Sequence, residues 1–150
     1  MAEVLGLTAA LVRSAGLVSD VCAQTAAEHG LTTQQAQLLC VIAAHDVTMA
    51  QLGPMLRIAK SSTTGLVDRA EEAGLVRRVA DSDDRRSQRV CLTPQGDRLG
   101  AAYRASVSER VGVLLAGIPA EQLETLQSAL SRVVLVNSAR ATWPGTESAA

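Results

Sequence analysis

Residues 75–96 read LVRRVADSDDRRSQRVCLTPQG. Two short runs of β-compatible residues, 75–79 and 89–93, flank a polar loop at 81–87. This pattern predicts a β-hairpin with arginines at its tip. Beyond Val90 and Leu92, Thr93 is placed to cap a helix whose first residue is Pro94. A basic hairpin with helices before and after it is the outline of a wing, which requires beside it a helix able to enter a DNA groove.

The residues upstream supply that helix. Residues 49–56 (MAQLGPML) predict a short helix in which Gly53-Pro54 is a poor pair. Either Pro54 lies in the first turn of a shortened helix or the helix kinks there. Arg57-Ile58-Ala59 is the turn, and residues 60–73 (KSSTTGLVDRAEEA) form the next helix, stopped by Gly74. Leu66, Val67 and Ala70 face inward, leaving Lys60, Ser61, Ser62, Thr64 and Arg69 outward. Hydroxyls at a helix start can serve as caps, but beside a basic hairpin they suit base edges and phosphates. At the wing, Asp84 stands two residues before Arg86, a spacing that predicts a carboxylate–guanidinium pair aiming Arg86 at a narrow minor groove. Arg85 would face the other side of the loop, toward a phosphate.

Further out, residues 3–29 predict a helix with Leu7, Leu11, Ala15, Val18 and Cys22 on one face, ended by Gly30. Thr32 and Gln35 make a capping-box pattern for a helix over 33–45, apolar all round and therefore central. Residues 46–48 are a connector with room for a single bridging strand. After the wing, residues 94–117 predict a long helix with Leu99, Tyr103, Val107, Val111 and Leu114 in register. Another starts at Pro119 with Leu123, Leu126, Leu130, Val133 and Val134 as its stripe. From residue 141 (ATWPGTESAA) the composition predicts a flexible tail.

The 150 residues are 47% hydrophobic but contain no Phe, one Tyr and one Trp, so the core must be aliphatic. Net charge is −1, yet nine of the 14 Lys and Arg fall between 57 and 98: Arg57, Lys60, Arg69, Arg77, Arg78, Arg85, Arg86, Arg89 and Arg98. A local basic surface on a neutral chain is compatible with nucleic-acid binding, but taken alone its default reading is a solvated face.

Asp81, Asp84, Arg85, Arg86, Val90, Leu92, Thr93 and Gly96 match the wing pattern D-P-x-D-R-R-x-x-x-V-x-L-T-x-x-G of the multiple antibiotic resistance regulator (MarR) family. Residues 60–69 resemble its recognition helix K-S-T-V-T-R-L-V-D-R, and residues 73–78 its K-G-L-V-x-R. The resemblance is specific over 31–96. It implies a mainly α fold with a small β wing (α+β), a winged helix-turn-helix over 33–93, and dimerisation helices at 3–29 and 97–140, all in one domain. It also implies a homodimeric transcriptional repressor on a palindromic double-stranded DNA operator, cytoplasmic, released by a small-molecule effector bound between the dimer helices and the winged module. The DNA-binding residues it implies are Lys60, Ser61, Ser62, Thr64, Arg69, Asp84, Arg85 and Arg86. Four positions depart from the pattern: Ala59, Thr63, Gly65 and Ser82 stand where Ser, Val, Arg and Pro are common.

Other classes fare worse. A winged module for protein assembly alone predicts an uncharged wing tip, against Arg85-Arg86. No Ser/His/Asp set, paired-carboxylate site or glycine-rich phosphate loop marks an enzyme, and neither cofactor nor metal is expected, because His29 and His45 have no second ligand at i+3 or i+4. The N-terminal residues predict neither signal peptide nor membrane anchor. Cys22, Cys40 and Cys91 read as inert buried thiols before a redox-sensing regulator, since Cys22 lies too far along its helix for the family's peroxide-sensing branch. The effector pocket should be aliphatic, with at most Tyr103 and Trp143 to stack on a ligand.

Overall fold

In the computed structural model, which describes residues 4–84 and 86–138, six helices and three short strands follow the chain in the expected order. They are α1 (Leu7–Glu28), α2 (Thr33–Ala44), β1 (Val47–Thr48), α3 (Met49–Leu56), α4 (Lys60–Glu72), β2 (Val76–Ala80), β3 (Gln88–Leu92), α5 (Pro94–Leu114) and α6 (Ala120–Ser138). Arg85, Trp143 and the expected tail at 141–150 lie outside the described residues.

The central element is α2. Ala36, Leu38 and Leu39 are wholly buried and Val41 and Ile42 nearly so, while Ala43 is exposed, so the helix is not buried all round. Thr32 caps this helix as the sequence predicts: its hydroxyl accepts from Gln35 N–H at 3.1 Å, and Gln35 Oε1 accepts from Thr32 N–H at 3.0 Å. Burial outweighs the cap, since truncating a buried Leu costs about 2–5 kcal/mol and losing an N-cap about 1. Thr32→Ala should therefore lower the unfolding free energy by about 1 kcal/mol. Urea unfolding should show this as a lower midpoint at unchanged slope.

The wing is part of a three-stranded antiparallel sheet in the order β1-β3-β2, with Val47 opposite Val90 and Arg78 also opposite Val90 from the other side. Its strands are shifted by one residue from the expected runs, for a local reason at each end. Helix α4 closes in a Schellman turn: Gly74, at φ 73°, donates to Glu71 O, and Leu75 N–H donates back to Ala70 O. Leu75 thus belongs to the helix stop. Thr93 is likewise spent on capping α5, accepting from Gly96 N–H at 3.0 Å.

Two other expectations change. Helix α1 starts at Leu7, not residue 3, with Gly6 as its N-cap. Helix α3 keeps Pro54 inside it without shortening, and ends at Arg57, a non-glycine residue in the left-handed region at φ 55°. The apolar stripes of α1 and α6 are largely bare on the single chain: Leu7, Leu11, Val18, Leu126, Leu130, Val133 and Val134 are all exposed. Among the described residues no helix is long and apolar enough to cross a membrane.

Candidate nucleic-acid interface

Helix α4 begins at an N-cap, Ala59, that has no side chain to spend on the first amides. The N–H groups of Lys60, Ser61 and Ser62 are therefore left pointing outward with the positive end of the helix dipole. Thr63 is buried and bonds back to Ala59 O at 3.0 Å, so its hydroxyl, where Val is common in the resembling pattern, is satisfied internally. Lys60, Ser61, Ser62, Thr64 and Arg69 are all exposed. Thr64 donates to Lys60 O at 3.2 Å, which leaves its lone pairs free to accept. Arg69 lies back along the helix, its Nη1 within 3.3 Å of where a Cβ on Gly65 would stand.

Lys60, Thr64 and Arg86 line one cleft of about 470 Å³ between the start of α4 and the wing, with Ser87, Gln88 and Arg78 on its walls. The structure thus brings the wing arginine and the helix start together. Ser61, Ser62 and Arg69 lie on the same helix outside the cleft, and Asp84 lies at the wing tip. Asp84 does not act as its spacing predicts. Its Oδ1 accepts from the Arg86 backbone N–H at 2.9 Å, and its carbonyl accepts from Ser87 N–H, so it holds the turn of the wing and not the guanidinium.

Two arginines counted in the basic surface are consumed internally. Arg78, on β2, reaches Asp68 and Glu71 of α4 at 2.5 Å each, and its N–H also donates to Glu71 Oε1. That backbone bond, with the guanidinium behind it, holds the Glu71 carboxyl below its ordinary value. Arg89, on β3, pairs with Asp46 before β1 and with the buried Asp81 at 3.1 Å. These bridges lock the wing to α4 and to β1. A sequence signal for the first existed: Asp68 and Glu71 are three apart on a helix, hence on one face.

A second cavity, about 350 Å³, lies between α1, α2, α5 and the α3–α4 turn. Cys22, Cys40, Val41, Leu56, Arg57 and Tyr103 are among its walls. Tyr103, one of the two aromatics expected to stack on a ligand, is thus on a cavity wall. Among the described residues no three His, Cys, Asp or Glu side chains are grouped to hold a metal.

With this geometry in view, comparison with known proteins is specific. The profile of the MarR family matches residues 29–87. An uncharacterised HTH-type transcriptional regulator of Bacillus subtilis, YsmB, is 43% identical over 54 residues, 36% of this chain and 37% of that protein. The match thus spans little more than a third of that relative's length. A MarR-family transcriptional regulator from Rhodococcus sp. RHA1 superimposes with a TM-score of 0.70 at 26% identity, over 87% of this chain and 96% of its own. CouR of Rhodococcus jostii RHA1, solved with p-coumaroyl-CoA bound, gives 0.67 at 25% identity over 85% and 91%.

Proposed function

We propose that this chain is a transcriptional regulator of the MarR family, a homodimeric repressor that binds a palindromic DNA operator and is released by a small organic ligand. Ser61, Ser62 and Thr64, with Lys60 and Arg69, meet the major groove and its phosphates. Arg86, on a turn shaped by Asp84, meets the flanking minor groove, and Arg85 meets a phosphate. The observation that carries this reading is the cleft shared by Lys60, Thr64 and Arg86, beside a helix start whose amides are uncapped.

Dimerisation is supported by the bare apolar stripes of α1 and α6 and by Val113 and Leu114 at the end of α5. Covering them with a second copy would put two winged modules on one two-fold axis, matching a palindrome. The ligand reading rests on the 350 Å³ cavity, whose wall includes Leu56 at the end of α3 and Arg57 of the turn leading into α4. An occupant there presses on the element that sets the direction of the recognition helix. That CouR carries an acyl thioester supports an organic ligand as the effector class.

Fluorescence anisotropy with the DNA upstream of the protein's own gene, over a salt series, tests the proposal. Binding should weaken linearly on a log–log plot, with a slope approaching about −7 if Lys60, Arg69, Arg85 and Arg86 of both protomers each release a counterion at about 0.9. Absence of salt-dependent binding to that DNA and to any genomic fragment would sink it.

A further inference from the structure

The cavity between α1, α2 and α5 contains chemistry that reversible ligand binding does not need. Cys22 of α1 and Cys40 of α2 both line it and both are half-buried, so the cavity offers two thiols from different helices. Tyr103 of α5 lies against Cys22; the residue is 6% exposed and its ring is set edge-on to His29. The remaining walls set Val41, Met55 and Leu56 beside Thr33, Gln37 and Arg57, and the surface they expose is mostly apolar.

We propose that this cavity captures small α,β-unsaturated carbonyl compounds covalently, with Cys22 as the nucleophile and Tyr103 as the proton donor. The proposal rests on the ligand reading above and names the class of ligand. An enone has three needs, and all three are met on these walls. Its β-carbon needs a soft nucleophile, its oxygen needs a donor that stays protonated, and its flat carbon frame needs apolar surface. Sulfur bonds to the β-carbon while the C=C pair shifts to the carbonyl oxygen. Tyr103 gives that oxygen its proton and regains one from the Cys22 S–H. The enol then returns to the ketone, with the proton on the α-carbon, and no oxidant or reductant is consumed.

Two details separate the residues. Burial, then contact with the Cys22 thiol, pushes the Tyr103 phenol well above its ordinary range, so it remains a donor. Burial also pushes the Cys40 thiol up, with Arg104 acting against it, which makes Cys40 the poorer nucleophile. At about 350 Å³ the cavity sits at the small end of organic-ligand sites, which range over about 300–1,000 Å³. A compact enone fits that volume.

The test treats the intact purified protein with 2-cyclohexen-1-one and follows adducts by mass spectrometry with peptide mapping, using saturated cyclohexanone as the shape control. One adduct on Cys22 is expected in the wild type, in Cys40→Ser and in Cys91→Ser, and none in Cys22→Ser or Cys22→Ala. Tyr103→Phe should slow its formation by about tenfold or more, as loss of a general acid does. Equal labelling of Cys22, Cys40 and Cys91, no labelling at all, or an unchanged rate in Tyr103→Phe would overturn the proposal. The mass readout needs no DNA. Failure of the protein to bind any operator would therefore defeat the regulatory reading while the adduct map still decided the chemistry.

Discussion

Gly96→Ala should be among the most damaging single substitutions in this chain, with an unfolding free energy lower by about 3 kcal/mol or more. A Cβ at this position would stand 1.9 Å from the carbonyl oxygen of Leu75 and 2.8 Å from its carbonyl carbon. Those are backbone atoms, and they are not free to move. The Leu75 carbonyl accepts from Thr93 N–H at 3.0 Å, and Leu75 N–H closes the end of α4. Gly96 N–H is itself held by the Thr93 hydroxyl, which also donates to Gly74 O at 2.6 Å. Relief of the clash would therefore part the end of α4 from the start of α5.

Gly100, one turn later on the same buried face, gives the comparison. A Cβ there would meet Leu39 Cβ and Arg104 Nη1, each at 3.3 Å, and both belong to side chains. Gly100→Ala should cost clearly less than Gly96→Ala, because a small shift relieves it. Denaturant midpoints of the two variants, measured side by side at matched protein concentration, check the ranking. A Gly96→Ala variant as stable as Gly100→Ala would contradict the contact.

The same glycine shows where the limits of sequence reasoning lie. Its place in the wing pattern is visible from residues 81–96, but the reason only glycine fits is a carbonyl 21 residues earlier, on the far side of the wing. Features made by neighbours in sequence were legible: the Thr32 and Thr93 caps, the stop at Gly74, the order of helix, turn, helix and wing. Arg78 and Arg89 were not, since a count of basic residues weighs all nine alike. Their carboxylate partners are brought in by tertiary packing, Asp46 from 43 residues before Arg89. The shared placement of two thiols was not legible for a related reason. Each cysteine taken singly is an ordinary half-apolar residue, and only the fold-back of α2 on α1 puts Cys22 and Cys40 on one cavity.

Asp84 was misread locally, and that error makes the sharpest functional prediction. A carboxylate two residues before an arginine has two donors within reach, the guanidinium and the nearer backbone N–H, and here the backbone wins at 2.9 Å. Its task is then to form the turn that presents Arg86, which a neutral oxygen performs equally well. Asp84→Asn should keep operator affinity within about twofold, because its amide oxygen accepts the same bond. Asp84→Ala should weaken binding several-fold at an unchanged salt slope, since the turn loosens but no cation is lost. Arg86→Ala should weaken it by about tenfold or more and flatten the log–log salt slope by about 1.8 for the dimer, at about 0.9 per protomer. Arg78→Gln separates presentation from contact. Its guanidinium is already occupied by Asp68 and Glu71, so affinity should fall through a misplaced wing while the slope stays as in the wild type. Anisotropy titrations of all four variants over one salt series read both quantities. If Asp84→Asn lost as much affinity as Asp84→Ala, the carboxylate charge and not the turn would be what matters. A slope flattened by Arg78→Gln would make that residue a phosphate contact instead of a brace.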